Sequence, residues 1–165
     1  MEIIPLILKE LDYEVQVARK FLPLIPEDKF DFKPHPKSTA MKPLAIHIAE
    51  LPSWITLGLN TTELDFATAP YKPTPIGSTQ DLLDILERSY ASGKDSLAKA
   101  TEQDLLPGWT LRNGEQILAV MTKYELIRHS LNQITHHRAQ LGVYLRLLDI
   151  PIPGSYGPSA DEMNF

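Results

Sequence analysis

The sequence contains no cysteine among its 165 residues. Disulfide bonds, thiolate nucleophiles and thiolate metal ligands are therefore excluded. It also has no run of about 20 apolar residues, which a membrane-spanning helix requires. The N-terminal stretch MEIIPLILKELDY lacks the basic start and the small-residue cleavage site of a signal peptide. These absences predict a cytoplasmic protein with no membrane partner.

Basic residues are also scarce: 16 Lys and Arg stand against 21 Asp and Glu, so the net charge is -5. No basic run or stripe is present, which argues against a nucleic-acid partner because affinity for phosphates comes mainly from Lys and Arg. The remaining composition, 43% hydrophobic and 22% charged, is typical of a globular protein. We predict one domain spanning residues 1–165.

Three apolar repeats with spacings of three and four residues predict three helices. The first runs from about Ile3 to Leu22, and the second from about Met41 to Leu59. Pro52 lies inside the second and should kink or divide it. The third runs from about Thr79 to Thr101, where Ser78 with an acidic residue three positions later forms a capping-box-like pair.

A fourth and longest helix is predicted to open with Asn113 followed by Gln116 and to run to about Leu148. Its apolar repeat begins with Ile117 and Val120. The preceding segment LLPGWTLRNGE contains PG and NG pairs, which indicate a turn or a small hairpin. The last residues, PIPGSYGPSADEMNF, are predicted to be an irregular tail that packs back on the helices. With no other alternating strand pattern, the prediction is an all-α four-helix bundle, whose long second connection permits a crossover.

Two of the five histidines lie outside the last helix. His35 is in a proline-rich loop and is interpreted as an exposed residue. His47 lies on the apolar stripe of the second helix, between Leu44 and Leu51. A buried imidazole needs a partner, which can be a backbone carbonyl, another side chain or a metal ion.

The last helix places His129, Gln133 and His137 on one face, at i, i+4 and i+8. Neighbours in this series are about 6 Å apart along the axis and can share an ion, whereas the two histidines are about 12 Å apart and cannot. The usable pair is thus His129 with Gln133 or Gln133 with His137. His136 points aside and is interpreted as a flanking or surface residue, or as a hydrogen-bond donor to a side chain that binds the ion.

Three inward ligands from two bundle helices make a familiar kind of metal site, and an open position on the ion suits catalysis. Gln133 weakens this hypothesis, because a neutral amide oxygen is a poorer ligand for zinc or nickel than imidazole. The alternative from the residues alone is a hydrogen-bonded polar core.

The run LNQITHHRAQLGVYLRLLDIPIPGSYGPSADE resembles the DinB/YfiT-like superfamily of metalloenzymes, and MKPLAIHIAELPSWI is similar to its second helix. The block HHRAQL is close to the superfamily's usual HHRGQL. The resemblance implies a four-helix bundle with one divalent metal, held by a histidine of helix two and an H-x-x-x-H pair of helix four. By position the ligands are His47, Gln133 and His137, so Gln133 departs from the pattern. Mycothiol-dependent relatives have a glutamate there.

The function implied by the resemblance is a divalent-metal-dependent enzyme, with nickel or zinc as a Lewis acid. Its reaction would be thiol-dependent transfer or hydrolysis on a small molecule, with a low-molecular-weight thiol as a candidate partner. The alternative is a non-catalytic bundle with a weakened metal site that binds a small ligand or serves as a stress-related accessory protein. The family name refers to DNA-damage-inducible expression. Relatives are often dimers, so a homodimer is also an expectation.

Overall fold

The computed structural model describes residues 2–163, and most of them are helical. The helices are α1 Ile4–Phe21, α2 Met41–Glu50, α3 Ser53–Asn60, α4 Thr79–Lys99 and α5 Lys123–Leu147. Three strands, β1 Glu63–Asp65, β2 Gly108–Asn113 and β3 Gln116–Thr122, form one small sheet. No helix within residues 2–163 is both long enough and apolar enough to cross a membrane.

The four predicted helical segments are confirmed, with the second divided in two. The apolar residues that repeat every three or four positions along the first segment are all buried: Ile4, Ile7, Leu11, Val15, Ala18 and Leu22. α2 ends and α3 begins on either side of Leu51 and Pro52, because proline cannot donate to the helical ladder. The capping box of α4 is present, with the Asp81 N–H donating to the Ser78 hydroxyl.

The helices form a bundle in which consecutive helices are not always neighbours. α1 packs mainly against α4 and α5, and the α2–α3 pair also packs against α4 and α5. α1 and the α2–α3 pair therefore lie at opposite corners. The first connection crosses the bundle, whereas the long second connection joins the neighbours α3 and α4.

Close packing of α4 on the α2–α3 corner depends on one glycine. A Cβ added at Gly93 would overlap the backbone carbonyl of Pro52. The sequence pattern marks Gly93 only as a residue that weakens a helix. In the structure, the missing side chain lets α4 approach the break between α2 and α3.

The predicted start of the last helix is wrong, and the predicted hairpin is present and longer than LLPGWTLRNGE. Residues 116–122 form β3, antiparallel to β2, and α5 begins at Lys123 with Thr122 as its cap. Ile117 and Val120, which fit a buried helical stripe, are 63% and 69% exposed. β-branched residues and an Asn-Gly turn favour a hairpin, and this local preference prevails over a three-residue apolar spacing.

One strand, β1, has no counterpart in the sequence prediction, which left residues 61–78 as a connection. It pairs in parallel with β2, placing Glu63 opposite Thr110. The buried Asp65 carboxylate accepts the N–H groups of Ala67 and Gly114 at 2.9 and 2.8 Å, and these bonds lower its pKa. Three residues are too few to show an alternating pattern, so only the tertiary partner identifies the strand.

Candidate metal centre

α2 and α5 bring two histidines together between their facing surfaces. The ring centres of His47 and His137 are 4.9 Å apart, and the rings meet edge to face. Each is half-buried, on a helix whose neighbouring positions lie in the core.

The His47 ring lies in surroundings that favour its neutral form. Burial lowers its pKa, and the neighbouring His137 lowers it further, while the Glu50 carboxylate acts in the opposite direction. The edge of Trp54 packs against the ring, with centres 6.4 Å apart. No hydrogen bond within residues 2–163 contributes to this pKa. A neutral imidazole without such a partner has a nitrogen lone pair available for a ligand.

His137 is held by a residue one turn later. Its Nδ1 lies 2.8 Å from Oε1 of Gln140, and because an amide oxygen only accepts, Nδ1 carries the proton. Burial lowers the pKa of His137, although the Gln140 hydrogen bond raises it in part. This arrangement leaves Nε2 unprotonated, as in a metal-binding histidine whose other nitrogen donates to an oxygen.

Gln133 lies one turn before His137 on α5 and is half-buried. Side-chain hydrogen bonds of the surrounding turns include those from Arg128 to Asn132 and between His137 and Gln140, and none within residues 2–163 involves Gln133. Its amide oxygen is thus available as a third ligand. Within residues 2–163, no group of three His, Cys, Asp or Glu side chains that could hold a metal exists.

The other two helix-α5 histidines stand outside this pair. His129, two turns before His137, is exposed. His136 is also exposed, but its ring centre lies 4.9 Å from that of His137, so the adjacent rings contact each other. His35 is exposed in its loop, as predicted, and its Nδ1 accepts the N–H of Lys37.

The spacing of the two facing rings fits a shared ion. Imidazoles that bind one ion at about 2.0–2.1 Å with near-tetrahedral angles have ring centres roughly 5 Å apart. The distance between His47 and His137 is 4.9 Å. Together with the lowered pKa values and the Gln140 hydrogen bond, this donor set is chemically suited to a divalent metal.

Comparison with known proteins agrees with the helical bundle. The model of the DinB family matches residues 5–164. The chain belongs to the DinB family. No significant match to a curated protein was found.

Solved structures of DinB-like proteins share the fold. A protein described as a putative DinB-family member from Exiguobacterium sibiricum is 19% identical, with 93% of this chain and 97% of that chain covered and a TM-score of 0.71. A DinB-like protein from Bacillus cereus is 20% identical over 91% and 95% of the two chains, with a TM-score of 0.70. YfiT from Bacillus subtilis, described as a probable metal-dependent hydrolase with an unusual four-helix bundle topology, is 14% identical over 90% and 89%, with a TM-score of 0.65.

This DinB-family protein has two further groups at the site that the sequence interpretation missed. Gln140 holds His137 in one tautomer through its hydrogen bond to Nδ1. Glu50, one turn after His47, accepts hydrogen bonds from the hydroxyls of Tyr71 and Thr74 at 2.7 and 2.5 Å. Glu50 thereby anchors the second connection beside the site. A polar residue three or four positions from a candidate ligand is the only sequence signal for either.

A second polar pair of the DinB bundle lies next to His137 along α5 but faces α1. Arg138 and Glu14 are both buried, and Nη1 donates to the carboxylate at 2.5 Å. The hydroxyl of Tyr156 also donates to Glu14, and the Tyr156 ring lies against the guanidinium. Tyr156 belongs to the tail, so the prediction that the tail packs on the bundle is confirmed for residues 151–163, with contacts on α1 and α5, while residues 164 and 165 lie outside the described part of the chain.

Proposed function

We propose that this DinB-family protein is a divalent-metal-dependent enzyme that acts on a small molecule, with hydrolysis as its reaction. The observation that carries the proposal is the approach of two imidazoles from different helices, 4.9 Å between centres, each with a lowered pKa. The description of the structural neighbour YfiT as a probable metal-dependent hydrolase supports it.

His47, His137 and Gln133 are the residues that would hold the ion, and nickel and zinc both accept imidazole ligands. The bound ion supplies Lewis-acid chemistry, since it lowers the pKa of a nucleophile such as water. All three ligands are neutral, so the ligands themselves do not compensate the positive charge of the ion. This choice of ligands weakens binding but favours acidification of the nucleophile.

The chain's own residues prepare this site in three ways. Gln140 holds His137 in the tautomer with Nε2 unprotonated. Trp54 lies beside His47, with the two rings edge to face. The exposed His136 contacts His137 at the rim of the site.

A thiol-dependent transferase is the alternative reaction at the same ligands. The chain contains no cysteine, so the thiol would have to be a separate low-molecular-weight molecule. A non-catalytic bundle is the second candidate function. It is favoured by the absence, within residues 2–163, of three His, Cys, Asp or Glu side chains grouped around one point.

The metal site is tested first. Protein purified without a nickel column is analysed for metal and titrated with zinc and nickel by calorimetry. We expect one ion per chain, and loss of at least about tenfold in affinity, or about 1.4 kcal/mol, in His47→Ala and in His137→Ala. The matched control is His35→Ala, which removes an exposed loop histidine and should bind metal like the wild type.

The reaction is tested with the metal-loaded protein. Hydrolysis of a panel of small esters and amides, lost on metal removal and restored by its return, is the expected result. Turnover that requires an added thiol would favour the transferase. Equal metal binding by His35→Ala, His47→Ala and His137→Ala would contradict the assigned ligands. Metal binding without turnover in either assay would favour the non-catalytic bundle.

A further inference from the structure

A pocket of about 310 Å³ lies beside the candidate metal centre, between the α2–α3 pair, the second connection and α4. Its walls include Trp54 of α3, Tyr71 of the second connection and Arg88 of α4. Trp54 also lies edge to face against His47, so the pocket and the histidine pair share one wall. A pocket of this size suits a small-molecule ligand.

Arg88 differs from the other arginines of the chain. Five arginines form ion pairs with carboxylates, namely Arg19, Arg112, Arg128, Arg138 and Arg146. Arg88, the sixth, is exposed and forms no ion pair and no side-chain hydrogen bond within residues 2–163. In a chain with a net charge of -5, this guanidinium is a positive group that remains available for a ligand. Its parallel N–H groups match the two oxygens of a carboxylate.

Two further donors of the pocket have no partner in the described part of the chain. The indole N–H of Trp54 makes no hydrogen bond there, whereas that of Trp109, the other tryptophan, donates to the Thr61 hydroxyl at 2.9 Å. Ser89 is 8% exposed, and its hydroxyl is likewise unbonded within residues 2–163. Buried polar side chains are normally hydrogen-bonded. Together with Arg88, these groups indicate a ligand that accepts hydrogen bonds.

The acidic residue of the pocket, Glu50, is already engaged. Its carboxylate accepts from the Tyr71 hydroxyl at 2.7 Å, and from the N–H and hydroxyl of Thr74 at 3.1 and 2.5 Å. These bonds hold the second connection as a wall of the pocket. The negative charge of Glu50 opposes a doubly charged phosphate more than a singly charged carboxylate. The charges and donors of the pocket therefore favour a monocarboxylate.

We infer that this pocket binds the carboxylate group of the substrate, which is then a small carboxylate-bearing ester or amide. The Arg88 guanidinium holds the carboxylate, and the Trp54 N–H and the Ser89 hydroxyl complete its hydrogen bonds. Because Trp54 borders both places, the remainder of the molecule reaches the ion along the Trp54 ring. The inference rests on the proposed function for the reaction, but carboxylate binding itself does not require the metal.

Binding is tested by calorimetry on the full-length, metal-free protein, with benzoate and its uncharged analogue benzamide as probes. We expect benzoate to bind at least about tenfold more tightly than benzamide, and Arg88→Met to lose at least about tenfold in benzoate affinity. Arg88→Lys keeps the charge but not the paired N–H groups, so its affinity should lie between the two. Lys99→Met, which removes a positive charge from another exposed position of α4, is the matched control and should bind benzoate like the wild type. Circular dichroism of the variants checks that the bundle is intact.

The two tryptophans locate the bound carboxylate. Their indole N–H groups give separate signals in a proton–nitrogen correlation spectrum, and Trp54→Phe identifies which signal belongs to Trp54. Benzoate should shift the Trp54 signal. It should leave the Trp109 signal in place, because Trp109 is 1% exposed and already bonded to Thr61.

Three results would overturn the inference: equal benzoate affinity in the wild type and Arg88→Met, equal affinity for benzoate and benzamide, or no shift of the Trp54 signal. Tighter binding of phenyl phosphate than of benzoate would contradict the assignment to carboxylates.

The variant His137→Ala separates this inference from the proposed function, since it removes a ligand of the ion but should bind benzoate like the wild type. Benzoate binding by a protein that binds no metal would contradict the proposed function alone. Metal-dependent hydrolysis that is as fast for a methyl-capped ester as for its free carboxylate, and is unchanged in Arg88→Met, would contradict this inference alone.

Discussion

Adjacent residues of α5 take part in two polar pairs of opposite character. His137 faces α2 and meets His47, whereas Arg138 faces α1 and meets Glu14. Successive helical residues point about 100° apart, so one helix serves both pairs. The Arg138 pair is buried and its charges are neutralised by each other, with the tail residue Tyr156 completing the bonding. The histidine pair is half-buried and keeps lone pairs available.

This difference separates a structural pair from a candidate functional one. A buried polar group is normally satisfied by its neighbours, and the Glu14–Arg138 pair follows this rule. The His47–His137 pair departs from it, because its one side-chain hydrogen bond within residues 2–163, to Gln140, orients the His137 ring and leaves Nε2 of His137 and the His47 ring unbonded. An open pair of donors is a reason to expect a ligand, and the proposed metal satisfies it.

The largest expected effect is on the free energy of unfolding and concerns the buried Glu14–Arg138 pair. Arg138→Met leaves the Glu14 carboxylate buried with the Tyr156 hydroxyl as its remaining side-chain partner. Breaking one side of a buried ion pair lowers the free energy of unfolding by about 3–5 kcal/mol. Urea denaturation of the metal-free protein measures the loss.

Two variants sharpen this measurement. Arg19→Met breaks the exposed pair with Glu87 and should lower the free energy of unfolding by less than about 1 kcal/mol. Adding Glu14→Leu to Arg138→Met removes the buried charge and should recover most of the loss. If Arg138→Met is no more destabilising than Arg19→Met, the interpretation that the buried Glu14–Arg138 pair stabilises the fold is wrong.

The next effect is on zinc affinity and concerns the His47–His137 pair. Gln133→His replaces a neutral oxygen with a nitrogen ligand one turn before His137, and should raise zinc affinity by about tenfold or more, which is about 1.4 kcal/mol. Zinc titration near pH 8, where imidazole is neutral, measures it. Val143→His, which adds a histidine at an exposed position of the same helix with no other histidine one turn away, is the control and should leave the affinity unchanged. Equal titration curves for Gln133→His and the wild type would contradict the assigned ligand geometry.

The smallest effect is the pH dependence of stability in the metal-free protein. Burial lowers the pKa of His47 and of His137 below 6.5, so the folded state binds fewer protons than the unfolded state. Their contribution to stability is therefore complete above about pH 6.5 and is lost as the pH falls through 6.5 toward the lower folded pKa.

Unfolding free energies measured between about pH 8 and about pH 5 test the predicted loss of stability with falling pH. The double variant His47→Asn, His137→Asn should lose less stability than the wild type over that range. His35→Asn, in the exposed loop, should retain the wild-type slope. A steeper loss in the double variant would show that the two histidines are not protonated preferentially on unfolding.

The helices could be predicted from sequence because they depend on short spacings, whereas spacing left two candidate ligand pairs open on the last helix and only the family resemblance implied His47, Gln133 and His137. The stripe from Ile4 to Leu22, the break at Pro52 and the Ser78 cap are local features, and each is present. The segment from Gln116 to Thr122 was mistaken for helix, because three-residue spacings of aliphatic residues fit both a helix and an exposed hairpin.

What the sequence by itself determined is the set of local elements: four apolar repeats, their caps and breaks, and polar residues at defined positions on them. The tertiary structure decided which elements meet. It placed His47 against His137 and left His129 exposed, assigned Arg138 to Glu14, and paired β1 with β2. Helical periodicity fixes the direction of a side chain around its own axis, but only the packing of whole helices fixes which neighbour stands in that direction.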